Sequence, residues 1–260
     1  MSDILLQLLP HVLASLLYIA LGIHFWQTRW RESKQPLLTL PMQPWERAAI
    51  FGALVVQGVG LYSGLFSAGG MRFSFSFALS LMLWLAVLIY WLESFRARMD
   101  GLQPMVLPLA ALAALAPALF PQLREVANAN AWGFQLHFLT AMLAYSLFTL
   151  SALHAVFMGF AERKLHQRAV TRSLTSLPPI LTMEALLFRM ILVAFCLLTA
   201  ALVSGVMFSE ALFGKAMAFD HKTLFAFASW GIFAALLVGR RVYGWRGRVA
   251  LRWTLAGFMV

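Results

Sequence analysis

Apolar residues fill this chain in runs of span length, separated by short polar segments rich in arginine. The runs lie near 4–26, 48–66, 74–93, 103–121, 134–158, 184–208 and 220–239, with a shorter one at 248–260. A helix of roughly 20 apolar residues crosses about 30 Å of hydrocarbon, so the pattern predicts a bundle of about eight transmembrane helices. The fold class expected is all-α, a polytopic integral membrane protein. The first run, 4–26, lacks a basic start and a small-residue cleavage site, so it reads as a permanent span.

The basic residues give the runs a direction. Segments 27–47, 94–102, 159–183 and 240–247 carry 4, 2, 4 and 3 lysines and arginines, with Arg248 at the last boundary. The alternate segments, 67–73, 122–133 and 209–219, carry only Arg72, Arg124 and Lys215, and Lys222 stands just inside the next run. Positive charge therefore alternates from side to side, which places the N-terminus on the outer face. The formal net charge of +10 orients the protein and offers contact to anionic lipid; its distribution argues against nucleic-acid binding.

With 62% hydrophobic and 12% charged residues, and no Ser/Gly linker, residues 1–260 read as one integral membrane domain without an internal repeat. Polar and small residues inside the runs then need a reason. Gly58, Gly60, Gly64 and Gly205 are expected at close helix contacts, and Gln57 at a hydrogen bond between helices. In TMEALLFRMIL, Thr182 is the expected helix cap and Glu184 suits the positive helix end; Arg189 is expected to snorkel or find a partner, but Glu184, five residues away, is not ideally spaced for it, so structural anchoring is the expectation. The single cysteine, Cys196, excludes an internal disulfide and reads as a small core residue.

No phosphate-binding glycine loop, HExxH, GxSxG or CxxCH motif occurs, and the ten acidic residues are scattered at loop edges. The sequence thus gives no signature of a conventional enzyme. Six histidines remain: His11, His24, His137, His154, His166 and His221. The charge pattern puts His11, His137 and His221 towards the outer face, and the other three towards the inner. His24 sits among Phe25, Trp26 and Trp30 as an interfacial anchor; His154 and His166 read as structural or solvated.

No single helix supplies two ligands on one face, so a two-histidine iron site must be built between helices. His137 and His221 are the pair at comparable depth, with His11 in reserve. A haem held by two imidazoles needs an apolar wall and a cation near its propionates, and Lys222 stands beside His221. On a plainer reading, Asp220 caps the helix and His221 and Lys222 are wet interfacial residues.

Two stretches resemble a known family. LHFLTAMLAYSLFTLSALHAVFM (136–158) is similar to the helix of cytochrome c assembly proteins of the CcsA/CcmC/HemX class, in which a histidine opens a span. FDHKTLFAFASWGIFAALLVGRRVYGWRGRVALRWTLAGF (219–258) resembles the segment after that family's tryptophan-rich loop, where W-D-P-K-E-T leads into a span, then G-W-R-G and a last helix. The similarity lies mainly in 134–258 and is nearest to the YpjD-like branch. The resemblance places His137 on the family's outer haem-ligand histidine, Asp220 and Lys222 on the D-P-K positions, and Gly244, Trp245, Arg246 and Gly247 on the G-W-R-G turn. Two positions depart from the pattern: 209–219 contains no tryptophan, and Gly239 stands where the synthases have a histidine.

The resemblance implies a multi-pass protein of the bacterial inner membrane that binds or passes haem, with His137, and by depth His221, as iron ligands. It implies an accessory in cytochrome c biogenesis with other assembly proteins as partners, lacking the full synthase motif. The competing expectation is a scaffold or transporter accessory that binds no haem.

Overall fold

The structure is a computed structural model that describes residues 2–31, 42–67, 70–96, 101–121, 124–125, 129, 131–167, 180–213 and 221–260. The described chain is helical nearly throughout: α1 (Ser2–Phe25), α2 (Pro44–Leu65), α3 (Phe75–Glu93), α4 (Gln103–Leu119), α5 (Trp132–Gln167), α6 (Ile180–Phe213), α7 (His221–Val242) and α8 (Arg248–Met259). A wider, π-type turn, Trp26–Arg31, continues α1. Three very short strands, β1 (Phe66–Ser67), β2 (Gly70–Phe73) and β3 (Arg124–Glu125), pair antiparallel in that order.

Helix ends follow local chemistry. Proline at the first position of α2 lacks only an N–H that would have no helical partner, and Glu46 two residues on accepts the Gln43 N–H at 2.7 Å. The span expected from residue 48 therefore starts at Pro44. Ser74 caps α3 by accepting the Phe77 N–H. At α6 the cap expected at Thr182 gives way to a start at Ile180, directly after Pro178-Pro179. Helix α5 runs to Gln167, through FAERKLHQ, because strong helix formers there meet no proline.

Among the described residues, six helices are long and apolar enough to span a membrane. Helix α4 is shorter, 17 residues, or about 26 Å, because Pro104 sits in its first turn and Pro121 follows its end. Helix α8 has 12 residues.

The chain divides into two compact units, one holding α1–α4 with the strands, the other holding α5–α8. In the first, α1 packs mainly on α2 and α4, and α3 joins the other two. In the second, α5 packs mainly on α6 and α8, and α7 joins the other two. Each unit is thus an up-and-down ring of four helices in sequence order.

The outward surface is apolar, unlike that of a water-soluble bundle. On α1 and the π-type turn that continues it, His11, Ser15, Tyr18, Phe25 and Arg29 are buried, while Leu9, Val12, Leu16, Ile19 and Ile23 are exposed. Both sets follow the three-to-four-residue helical spacing, so one stripe faces protein and the other is left for lipid. Inside the first unit, Gln57 Nε2 donates to Ser80 Oγ at 3.0 Å and to the Ser80 carbonyl at 3.3 Å, joining α2 to α3 as expected. Gly60 lies where a β-carbon would come 3.1 Å from His11 Cε1, and at Gly64 one would overlap the Phe77 ring. These glycines let helices approach, also as expected. Cys196 is exposed on α6, not in the core. A thiol at midspan is apolar enough for a lipid-facing position.

Candidate functional site at the α5–α6 contact

His137 stands in the second turn of α5, half-buried against α6. Its Nδ1 lies 3.1 Å from the Ala201 carbonyl and 3.1 Å from Ser204 Oγ. The Ser204 hydroxyl itself donates to the Ala201 carbonyl at 3.0 Å. With that hydroxyl proton already placed, both atoms facing Nδ1 act as acceptors. The arrangement therefore favours a proton on Nδ1 and leaves Nε2 with its lone pair. Among the described residues nothing hydrogen-bonds to Nε2. A ligating histidine adopts this same posture, with one ring nitrogen tied to a carbonyl and the other open to a metal.

The local sequence builds this contact. Gly205 follows Ser204, and a β-carbon there would come 3.2 Å from His137 Cε1, so the small pair Ser204-Gly205 makes room for the ring. Thr140 Oγ1 donates to the His137 carbonyl at 2.9 Å and tightens the helix below it. Phe134 and Phe138 stack on α5 beside the histidine, with ring centroids 6.0 Å apart.

The other site candidates lie elsewhere. His221 is the first residue of α7 and is exposed, with no hydrogen bond or ring contact to His137 among the described residues. Ala201 and Ser204 stand well short of the end of α6 at Phe213, Ser204 by about 14 Å, so His137 is anchored some way inside its unit. The side chain of Lys222, Asp220 and the side chain of His166 lie outside the described residues.

The remaining histidines hold the framework. His11 is buried in edge contact with Phe77, centroids 5.6 Å apart. His154 is buried, with Nε2 3.1 Å from the Met183 carbonyl, fastening α5 to α6. His24 meets Phe25 and Trp45 edge-on, as an interfacial anchor would, and its Nε2 also lies 3.0 Å from Glu46 Oε1. Arg29 donates to Glu46 Oε2 at 3.1 Å, so one buried carboxylate gathers three partners: His24, Arg29 and the Gln43 N–H.

Glu184 is buried and pairs with Arg240 in the last turn of α7, with Arg246 Nε 3.9 Å away. Sequence reading missed Ser204 as a partner of His137 and Glu46 as an ionic hub. The signals were present in the small pair Ser204-Gly205 and in a glutamate two residues after a helix-starting proline.

Among the described residues no group of three metal-ligating side chains occurs.

Comparison with known proteins places the chain in a family. The family model "Cytochrome C assembly protein" matches residues 46–260, well beyond the stretch 134–258. A protein of Azospirillum brasilense, described as an uncharacterized 28.8 kDa protein in a nifR3-like 5' region, is 30% identical over 61% of this chain and 60% of its own length. The inner membrane protein YpjD of Escherichia coli (strain K12) is 25% identical over 83% of both chains. The cytochrome c biogenesis protein CcsA of Prochlorococcus marinus (strain AS9601) is 38% identical over 30% of this chain. The matched region thus spans 60% and 25% of the length of the Azospirillum and Prochlorococcus proteins. No solved structure matches. The chain belongs to the cytochrome c assembly protein family, as a polytopic helical membrane protein related to cytochrome c biogenesis.

Proposed function

We propose that this protein binds haem at the end of α5–α8 opposite its arginine-rich turns, as an accessory of cytochrome c biogenesis in the inner membrane. The observation that carries the reading is the seat of the His137 ring: Nδ1 lies 3.1 Å from both the Ala201 carbonyl and Ser204 Oγ on α6, and Nε2 has no hydrogen bond among the described residues. His137 is the proposed axial ligand through Nε2. Haem bound there would supply the iron and, if its oxidation state changes, a one-electron couple; the chain supplies the orientation of the imidazole and its surroundings.

His221, at the start of α7, is the proposed second ligand, and Lys222 the cation for a propionate. Their support is position in the chain: the start of α7 carries the D-x-K pattern of the family's haem-handling segment. The alternation of basic loops assigns this end to the outer face. Partners on this reading are haem, membrane lipid and other cytochrome c assembly proteins; two relatives whose names read inner membrane protein and cytochrome c biogenesis protein support the setting.

A second reading draws on the same contact. A histidine that fastens α5 to α6 through Nδ1 also suits a membrane scaffold or transporter accessory that binds no haem. The optical spectrum of the protein purified after haem-replete expression separates the two. The haem reading expects a Soret band that His137→Ala abolishes while the protein stays folded. A colourless wild-type protein supports the scaffold. If His221→Ala leaves the spectrum and reduction potential unchanged, the paired ligation is wrong even where His137 binds.

A further inference from the structure

The basic end of α5–α8 carries a second feature, unrelated to the histidines. Helix α7 ends in Arg240 and Arg241, the turn carries Arg246, and α8 opens with Arg248 and continues to Arg252 one turn later. Two acids face this group, and both are engaged. Glu184 binds Arg240, and Glu162 accepts from Arg248 Nε at 2.9 Å. Arg246 lies 3.9 Å from the already paired Glu184 and is 63% exposed. Arg241 and Arg252 are exposed, and among the described residues no acid pairs with either. The end therefore has more guanidinium than carboxylate, with the surplus facing outward.

The turn that presents these side chains is held in place. Trp245 packs against Gly239, its N–H donates to the Gly239 carbonyl at 3.2 Å, and its own carbonyl accepts from Arg240 at 3.2 Å. Gly244 and Gly247 have φ of 65° and 54°, a left-handed backbone that side-chain-bearing residues rarely adopt. Tyr243, 74% exposed, stacks with Trp245 (6.2 Å between centroids), and Trp245 meets Trp253 at 5.1 Å. Such a row of amphipathic rings sits at headgroup depth in a bilayer. Guanidinium groups at that depth meet phosphate, which they bind through paired N–H donors.

We propose that the α7–α8 turn is a binding site for anionic phospholipid headgroups, with Arg241, Arg246 and Arg252 as the phosphate-facing cations. A fixed turn distinguishes it from the diffuse attraction of a flexible basic loop. Each arginine near a membrane surface contributes roughly a fivefold factor to the attraction. The site stands or falls independently of haem.

The test is native mass spectrometry of the full-length protein equilibrated with equal amounts of phosphatidylglycerol and phosphatidylcholine. Wild type is expected to retain phosphatidylglycerol preferentially, and Arg241→Gln/Arg252→Gln to lose about tenfold or more of it. The single variant Arg246→Gln, expected to lose about fivefold, covers failure of the double variant to fold. Arg96→Gln removes an exposed basic-loop charge from the other unit and is expected to leave retention unchanged. Equal retention of the two lipids overturns the proposal, as does an equal loss in Arg96→Gln. Displacement of the lipid by inorganic phosphate at about 10 mM would show a free-anion site, and would also overturn it.

Discussion

Gly205 lies against the imidazole of His137, where a β-carbon would stand 3.2 Å from Cε1. Helix α6 thus offers His137 two acceptors and an indentation within five residues, so ring position and proton position are fixed by one short segment. Filling the indentation should displace the ring. Gly205→Val is expected to cost about 1–3 kcal/mol through overpacking and to remove any haem that depends on His137. Thermal unfolding in detergent and the haem-to-protein ratio check it together. A variant that unfolds at the wild-type temperature would show that the ring is not held there.

Ser204→Ala should act more gently. His137 Nδ1 keeps the Ala201 carbonyl at 3.1 Å, so the loss is expected at about 1 kcal/mol or less. Haem content should persist while the reduction potential moves, because a hydrogen bond to the ligating imidazole tunes its basicity. Loss of haem equal to that in His137→Ala would give Ser204 a larger role than this geometry allows.

The glutamates separate buried from exposed ion pairs. Glu46 is buried and serves Arg29, itself buried, together with His24. Removing it by Glu46→Ala breaks a buried ion pair and is expected to cost about 3–5 kcal/mol. Glu162 pairs with Arg248, whose side chain is 66% exposed, so Glu162→Ala is expected to cost about 0–1 kcal/mol. Equilibrium unfolding of the two variants side by side checks the ranking; equal losses would contradict the assignment of burial.

A helix-to-helix hydrogen bond in apolar surroundings gives a third scale. Gln57→Leu removes both bonds to Ser80, and the expected cost is about 0.6 kcal/mol, at most about 2. The same unfolding assay measures it. A loss as large as that of Glu46→Ala would mean that Gln57 supports more of the α2–α3 contact than Ser80.

Much of the architecture was legible because hydrophobic runs and basic loops are coarse signals that a bilayer imposes on any chain. Each hydrophobic run overlaps a helix, six of the described helices being long and apolar enough to span a membrane, and Gln57, Gly60 and Gly205 occupy the contacts their chemistry suggested. Helix ends were less legible: Thr182 looked like a cap, but the chain is already helical at Ile180. Partner choice was least legible. Glu184 binds Arg240, 56 residues away, because helix ends meet across a bundle at separations that sequence spacing does not encode. His137 emerged from its depth in the chain's topology and from a family resemblance, while the contact of its Nδ1 required the positions of Ala201 and Ser204.

The central claim is that His137 offers Nε2 to a haem iron while α6 holds Nδ1. The most direct test is the visible spectrum of His137→Gly, purified from haem-replete cells, before and after addition of free imidazole. A Soret band absent from the variant and restored by imidazole is the result this account predicts. A variant that keeps the wild-type band without imidazole would contradict it.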